Sequence, residues 1–351
     1  MGCDTRLPSR PLEPMNTSAP ISVLMIGCGA FARRYHVPAF DDDGAVSIAG
    51  IFDPFPTPST RALAERCGAP LTARIEGLPR PEGLSFALIT TPHMLHAEHI
   101  ATMLERRMNV LVDKPYVMTA ADAVRLAERA DAIGVVNAVA YNRRFDRGCL
   151  RAREILRAGG IGEVRFVQTV QLGYERAGWF LDPALGGGGP YTGRATHMAD
   201  LVPWLLGRAP TALRSRLRFA SATRSDHGGF IELKFGDLEC QVTCIEEGWH
   251  MWDEVRIFGD DGLIELRRPL AAPIGWQLTW LSHRGERSES LAADSHPGDA
   301  TRDFLRVLRE GGKPACTFAE AVASARIVEL AFAAARDEGR WVDITPAQFP
   351  T

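Results

Sequence analysis

Four groups of residues in this chain have the types and spacing for chemistry: a glycine turn, an acid and a lysine that each follow an apolar run, and three evenly spaced histidines. The run Ile21–Ile26 leads into Gly27-Cys28-Gly29-Ala30-Phe31-Ala32. A Gly-x-Gly-x-x-Ala turn between a buried strand and a helix suits a pyrophosphate. Gly27 permits the tight turn, Gly29 lets an anion approach the backbone, and Ala32 lets helix and strand pack closely. The helix start adds unpaired N–H groups and a partial positive charge. In a chain with 33 glycines the bare pattern also occurs as a plain structural turn, but the strand–turn–helix setting favours a nucleotide. Asp53 ends the next apolar run about 20 residues on, placed to bond ribose hydroxyls and to repel a 2′-phosphate. NAD is therefore favoured over NADP, although Arg61 is near enough to keep NADP open; an acid there also serves commonly as a cap or turn residue. Lys114 follows the strand 108–112, on the carboxyl edge where parallel sheets bind ligands; a lone lysine is otherwise an exposed charge. His93, His96 and His99 lie at i, i+3, i+6, which spreads them over about 240° of a helix, so no shared metal is expected.

These groups need a scaffold, and the hydrophobic pattern supplies one. Strands are predicted at 21–26, 45–52, 84–90, 108–112 and 135–141, alternating with helices at 60–68 and 119–133, which specifies a doubly wound parallel sheet. The helix after the glycine turn is expected to end before Pro38. Beyond Tyr141 the character changes. A helix is predicted over 143–158, then strands at 164–172, 211–220, 228–235, 238–246, 254–258 and 262–267, with further helices at 195–206, 300–310 and 318–336 and a short strand at 341–344. This is an α+β domain with a large, mainly antiparallel sheet. One face is expected under the helices 143–158 and 195–206, and the other, read as apolar, is a candidate subunit interface. The domain division is 21–141 and 142–351, with residues 1–20, rich in proline and lacking an apolar core, as a disordered extension. At 351 residues, 46% hydrophobic, with a net charge of −3, the chain has no electrostatic case for nucleic acid or an anionic membrane. Seven cysteines without a C-x-x-C pair fit a reduced, cytoplasmic protein with free thiols.

The landmarks Gly27–Ala32, Thr91-Pro92-x-x-x-His96, Asp113-Lys114-Pro115, Asn142-Arg143-Arg144-Phe145 and Gly187-Gly188-Gly189 ahead of His197-x-x-Asp200 come in a specific order. In this order the chain resembles the glucose–fructose oxidoreductase / inositol dehydrogenase / rhizopine-catabolism (Gfo/Idh/MocA) oxidoreductase family over about residues 21–345. The resemblance implies a Rossmann domain with an open-faced sheet domain. It also implies a nicotinamide cofactor, NAD or NADP, and oxidation or reduction of a hydroxyl or keto group on a sugar, cyclitol or glycoside. It implies catalytic roles for Lys114, bridging substrate and nicotinamide and followed by a proline peptide that is often cis, and for His197 as general acid/base. An ordinary imidazole, with pKa near 6.5, can exchange the hydroxyl proton at neutral pH. The cofactor residues it implies are Gly27, Gly29, Ala30, Phe31, Ala32, Asp53, Thr91, Pro92, His96, Lys114 and Arg143. A homodimer or homotetramer through the sheet would follow, with a small carbohydrate-like molecule as partner.

The chain departs from the family at three places. Asp113 replaces a glutamate, Gly193 stands where an aspartate four residues before the histidine is usual, and Phe180 stands where an arginine is common. Tyr191, Thr192 and Arg194 are the replacements at hand, and Tyr174, Trp179, Phe180, Trp249 and Trp252 offer an aromatic wall. The expected substrate residues are thus Lys114, Tyr174, Trp179, Tyr191, Arg194 and His197. The substrate would be less polar than inositol, or carry an anionic group for Arg194. Two alternatives remain: a redox-cycling NAD enzyme that cleaves glycosides, and a nucleotide-binding sensor that has lost catalysis.

Overall fold

The computed structural model describes residues 20–174, 178–189, 191–219, 226–246, 248, 250–269, 276–283, 285–290 and 298–344. The expected N-terminal extension, apart from Pro20, and Trp249 lie outside the described residues. The first sheet is built from β1 (Ile21–Ile26), β2 (Val46–Phe52), β3 (Leu71–Thr72), β4 (Ser85–Ile89), β5 (Asn109–Asp113) and β6 (Asn137–Ala140), in the order β3-β2-β1-β4-β5-β6. All its pairings are parallel. Its central strands are almost wholly apolar because helices cover both faces. These are α1 (Val37–Asp43), α2 (Pro58–Cys67), α3 (His96–Glu105) and α4 (Ala120–Ile133). Thr57 and Thr119 cap α2 and α4 by accepting the N–H of the residue three positions on.

The helix after the glycine turn does not stop before Pro38. Residues Ala32–His36 form a π-turn, in which the Val37 N–H reaches back to the Ala32 carbonyl, and α1 continues with Pro38 in its first turn. A first-turn proline costs no hydrogen bond, so the widened turn lets the helix run through a residue that would otherwise end it.

The second sheet has nine strands: β7 (Val164–Leu172), β8 (Ala212–Phe219), β9 (Asp226–Phe235), β10 (Leu238–Ile245), β11 (Trp252–Gly259), β12 (Gly262–Pro269), β13 (Gln277–Ser282), β14 (Gly285–Ser290) and β15 (Val342–Asp343). The order is β14-β13-β12-β11-β7-β10-β9-β8-β15. All pairings are antiparallel except the central β7–β10 pair, which is parallel. Three strands, β3, β13 and β14, were not expected. β14, charged in sequence, is the edge strand, and β13 is held by ladder hydrogen bonds to β12 on one side and β14 on the other.

The remaining helices are α5 (Arg147–Arg157), α6 (Pro183–Gly186), α7 (Thr196–Leu206), α8 (Asp299–Glu310) and α9 (Phe318–Arg336). α5, α7 and the second half of α9 pack on one face of the second sheet, burying Ile155, Leu201, Val202 and Ile327 against Ile231, Val242 and Ile257. The opposite face is not the apolar surface expected from its sequence. It carries ion pairs between strands, Arg214–Glu232 and Arg256–Glu265 among them, and a Gln168–Gln241 hydrogen bond. α8 returns to the first sheet, where Phe304 and Leu305 join the core of Ile21, Phe86 and Leu111.

Candidate active site

The glycine turn is built from both sides. Gly27 adopts φ +85°, and a Cβ there would lie 2.9 Å from the Thr91 methyl group, so only glycine fits without strain. Its N–H donates to the Phe52 carbonyl, and its own carbonyl accepts from Thr90 Oγ1 at 2.9 Å. Gly29 and Ala30 are exposed, and a Cβ on Gly29 would meet nothing within 4 Å. That open approach at a helix start is what a pyrophosphate needs, so the residues present fit a dinucleotide. Ala32 is buried between helix and strand. Asp53 directly follows β2 beside this turn, and its carboxylate accepts the Phe55 N–H at 3.0 Å.

A cavity of about 410 Å³ extends from this helix start to the second sheet, and Phe31 and Tyr35 form its wall on the nucleotide side. Thr91 lines it from the end of β4, and Pro92 opens the following turn. At the end of β5 the Lys114–Pro115 peptide is cis. Lys114 is buried in the cavity wall and donates from Nζ to the Gly193 carbonyl at 2.9 Å. His197, in the first turn of α7, lines the same cavity and packs against Tyr141, whose ring stands nearly perpendicular to it at 6.5 Å. Tyr141 is in turn pinned through its hydroxyl to Ser324 and Thr196. The two expected catalytic residues thus converge on one space from different domains.

The far wall is polar. Gln171, Asp253 and Arg268 sit opposite one another on β7, β11 and β12. Each ends a core-facing stripe: Val167 and Thr169 precede Gln171, Val255 and Ile257 follow Asp253, and Ile264 and Leu266 precede Arg268. Asp253 accepts from Gln171 Nε2 at 3.0 Å, from Arg268 Nη2 at 2.7 Å and from Arg143 Nη2. Burial acts to raise its pKa, but the two guanidiniums prevail and bring it to about 2. Arg143 also pairs with Asp146, and both Arg143 and Arg268 face the ring of Trp276.

Several expected site residues lie elsewhere. His96 is buried away from the cavity: its Nδ1 faces the Pro115 carbonyl at 2.8 Å and its Nε2 the Thr91 carbonyl at 2.9 Å. Burial pushes its pKa down, with these carbonyls opposing. It ties together the two strand ends that carry Thr91 and Lys114 rather than touching a ligand. Tyr191 is fully buried in the core of the second domain, edge-on to Phe332, and Tyr174 is exposed outside the cavity lining. Trp252 also lies outside it and donates to Glu254. Trp179 does line the cavity, stacked on Phe180 at 3.8 Å, and both rings meet the edge of His93. Arg194 lines it too, but its Nε donates to the buried Glu246 at 3.2 Å, so a carboxylate of the protein already meets this cation. The histidines at 93, 96 and 99 each bond a different partner: the Gly186 carbonyl, the two carbonyls named above, and Thr91 Oγ1.

Sequence reasoning missed Gln171, Asp253 and Arg268. Their signal is a polar residue in step with the alternating apolar residues of each of three neighbouring strands.

Residues 21–141 match the family profile described as an oxidoreductase family with an NAD-binding Rossmann fold, and residues 149–265 match the GFO/IDH/MocA C-terminal domain. The chain belongs to the Gfo/Idh/MocA oxidoreductase family. Among Gfo/Idh/MocA relatives it is 26% identical to the rhizopine catabolism protein MocA of Rhizobium meliloti, covering 88% of this chain and 92% of that one. It is 28% identical to the D-glucoside 3-dehydrogenase of Escherichia coli K12, covering 54% and 55%. The chain spans about half the length of several curated relatives that it matches, at 55%, 55% and 50%. Its fold is that of GenD2 from gentamicin A biosynthesis, solved in complex with NAD, with a TM-score of 0.81 at 23% identity, covering 97% of this chain and 100% of that one. Among the described residues no helix is long and apolar enough to cross a membrane.

Proposed function

We propose that this protein is an NAD(P)-dependent oxidoreductase acting on a secondary alcohol or ketone of a sugar, cyclitol or glycoside. The observation that carries the reading is the convergence of Lys114 and His197 on one cavity beside the glycine turn. A bound nicotinamide would supply or accept the hydride. Lys114, held at Nζ by the Gly193 carbonyl, stabilises negative charge developing on the reacting oxygen. In the oxidative direction the His197 imidazole takes the hydroxyl proton, and in the reductive direction it returns it. The stacked Trp179 and Phe180 offer an apolar face to a ring, while Arg268 and Gln171 offer donors at the far end. With Arg194 already paired to Glu246, a neutral hydroxylated substrate is favoured over one that needs that arginine for a charge.

NAD is favoured over NADP by Asp53 at the end of β2. Homo-oligomer formation through the second sheet is also proposed; sedimentation of the full chain checks it, and a monomer at all concentrations removes it.

The test is turnover, followed at 340 nm across sugars, cyclitols and glycosides with NAD and NADP. Lys114→Met and His197→Ala are each expected to lower kcat by about 10²- to 10⁴-fold while nucleotide binding persists. Retention of wild-type turnover by either variant refutes the assignment.

A further inference from the structure

Gly193 brings no side chain to the cavity, yet its carbonyl is what Lys114 Nζ bonds at 2.9 Å. The position of that carbonyl depends on the π-turn Tyr191–Ala195. Asp226, the first residue of β9, is buried directly behind this turn. Its Oδ2 accepts the Gly189 N–H at 2.6 Å, and its Oδ1 accepts the N–H groups of Tyr191 at 2.8 Å and Gly228 at 3.0 Å. Two of these three donors are the residues that lead into the turn. The approach is close enough that a Cβ on Gly189 would sit 1.9 Å from the Asp226 carbonyl oxygen, so only glycine lets this stretch of backbone lie on β9. Burial and the neighbouring Glu246 push the Asp226 carboxyl up, while the three N–H donors favour its charged form. At the turn's other end Glu246 holds Arg194. The turn is therefore strapped by two buried carboxylates, one at each end.

We propose that Asp226 is a positioning residue for the Lys114 ammonium, acting through the backbone of the Tyr191–Ala195 turn in place of a side chain at position 193. The link runs from the Asp226 carboxylate through the N–H groups of Gly189 and Tyr191 to the Gly193 carbonyl and Lys114 Nζ. It crosses from the second sheet to the end of β5. This inference rests on the catalytic reading of Lys114 for its functional consequence, but not for its structural one.

The chain contains three lysines, Lys114, Lys234 and Lys313, so lysine labelled with ¹³C at Cε gives three side-chain NMR signals in the full-length protein. Lys114→Met assigns the one of interest. Asp226→Ala is expected to displace the Lys114 signal and leave those of Lys234 and Lys313 in place. Asp226→Asn keeps one acceptor oxygen but turns an NH₂ toward a former donor, and is expected to give a smaller displacement in the same direction. NAD binding, followed by fluorescence titration, is expected to remain within about twofold in both, because the glycine turn belongs to the other domain. On any substrate that turns over, kcat should fall by up to about 100-fold in Asp226→Ala, the scale of a catalytic group displaced by about 1 Å. A folded Asp226→Ala protein with an unmoved Lys114 signal overturns the proposal. If that variant does not fold, an unmoved signal in Asp226→Asn overturns it. Full turnover in Lys114→Met together with a displaced Lys114 signal in the Asp226 variants would refute the catalytic reading alone.

Discussion

Replacing Asp253 by asparagine keeps the shape of the side chain and removes its charge, which makes it a stand-in for the protonated acid. In the folded protein this carboxyl sits between Arg143, Arg268 and Gln171, and its pKa falls from an ordinary 3.8 to about 2. A depression of this size corresponds to about 2 kcal/mol in favour of the charged form on folding, at roughly 1.4 kcal/mol per pH unit. Asp253→Asn is therefore expected to lower stability by about 2 kcal/mol at pH 7, read by urea unfolding. Asp253→Ala should cost more, about 3–5 kcal/mol, because the Arg143 and Arg268 guanidiniums beside Trp276 then lose the carboxylate they share. The sign of the pH dependence follows from a lowered acid pKa. The contribution is complete above about pH 4 and is lost as pH falls through 2, with roughly half left at pH 3. The gap between wild type and Asp253→Asn should narrow on acidification. A gap below about 0.5 kcal/mol at pH 7, or one that widens in acid, would refute the assignment of Asp253 as the anion that neutralises this wall.

A second pH dependence comes from His36, fully buried against Thr301, whose pKa burial lowers from 6.5 to about 4. About 3 kcal/mol of stability is present above pH 6.5 and is lost as pH falls toward 4, so His36→Gln should flatten the fall of the urea midpoint over that range; an unchanged slope counts against it. Asp53→Ala should weaken NAD about 10-fold or more and leave NADP unweakened, measured by thermal shift with each nucleotide; equal losses would remove Asp53 from cofactor choice.

The parts of the fold legible in sequence were those governed by local rules. α9 begins at Phe318 because Thr317 and Glu320 form a reciprocal capping box, a pattern visible in the residues themselves. β7 spans Val164–Leu172, as its alternating pattern predicts. The family landmarks placed Lys114 and His197, and both line the cavity. What could not be read was the direction of side chains around Tyr191. The π-turn there closes each hydrogen-bonded loop over one more residue than an α-helix does, and this rotates each following side chain away from its spacing-based position. Tyr191, which opens the turn, is buried in the core, while Arg194, three residues on, reaches the cavity. The row of Gln171, Asp253 and Arg268 was equally hidden, because cross-strand register between strands distant in sequence depends on the assembled sheet.

The helix α9 has a mechanical consequence. Its first half, through Phe318, Ala321, Val322 and Ala325, is sealed into the core around β1, β4 and β5, and its second half, through Ile327, Val328, Ala331 and Ala334, into the core of the other sheet. A helix of 19 residues is a continuous rod of about 28 Å. Bending it would break backbone hydrogen bonds, and sliding either half would strip apolar side chains from a packed interior. A rod anchored in both bodies acts as a strut across the cleft and opposes the clamshell motion by which many two-domain proteins admit ligands. Such a strut holds the end of β5, which carries Lys114, and the start of α7, which carries His197, in one relative placement.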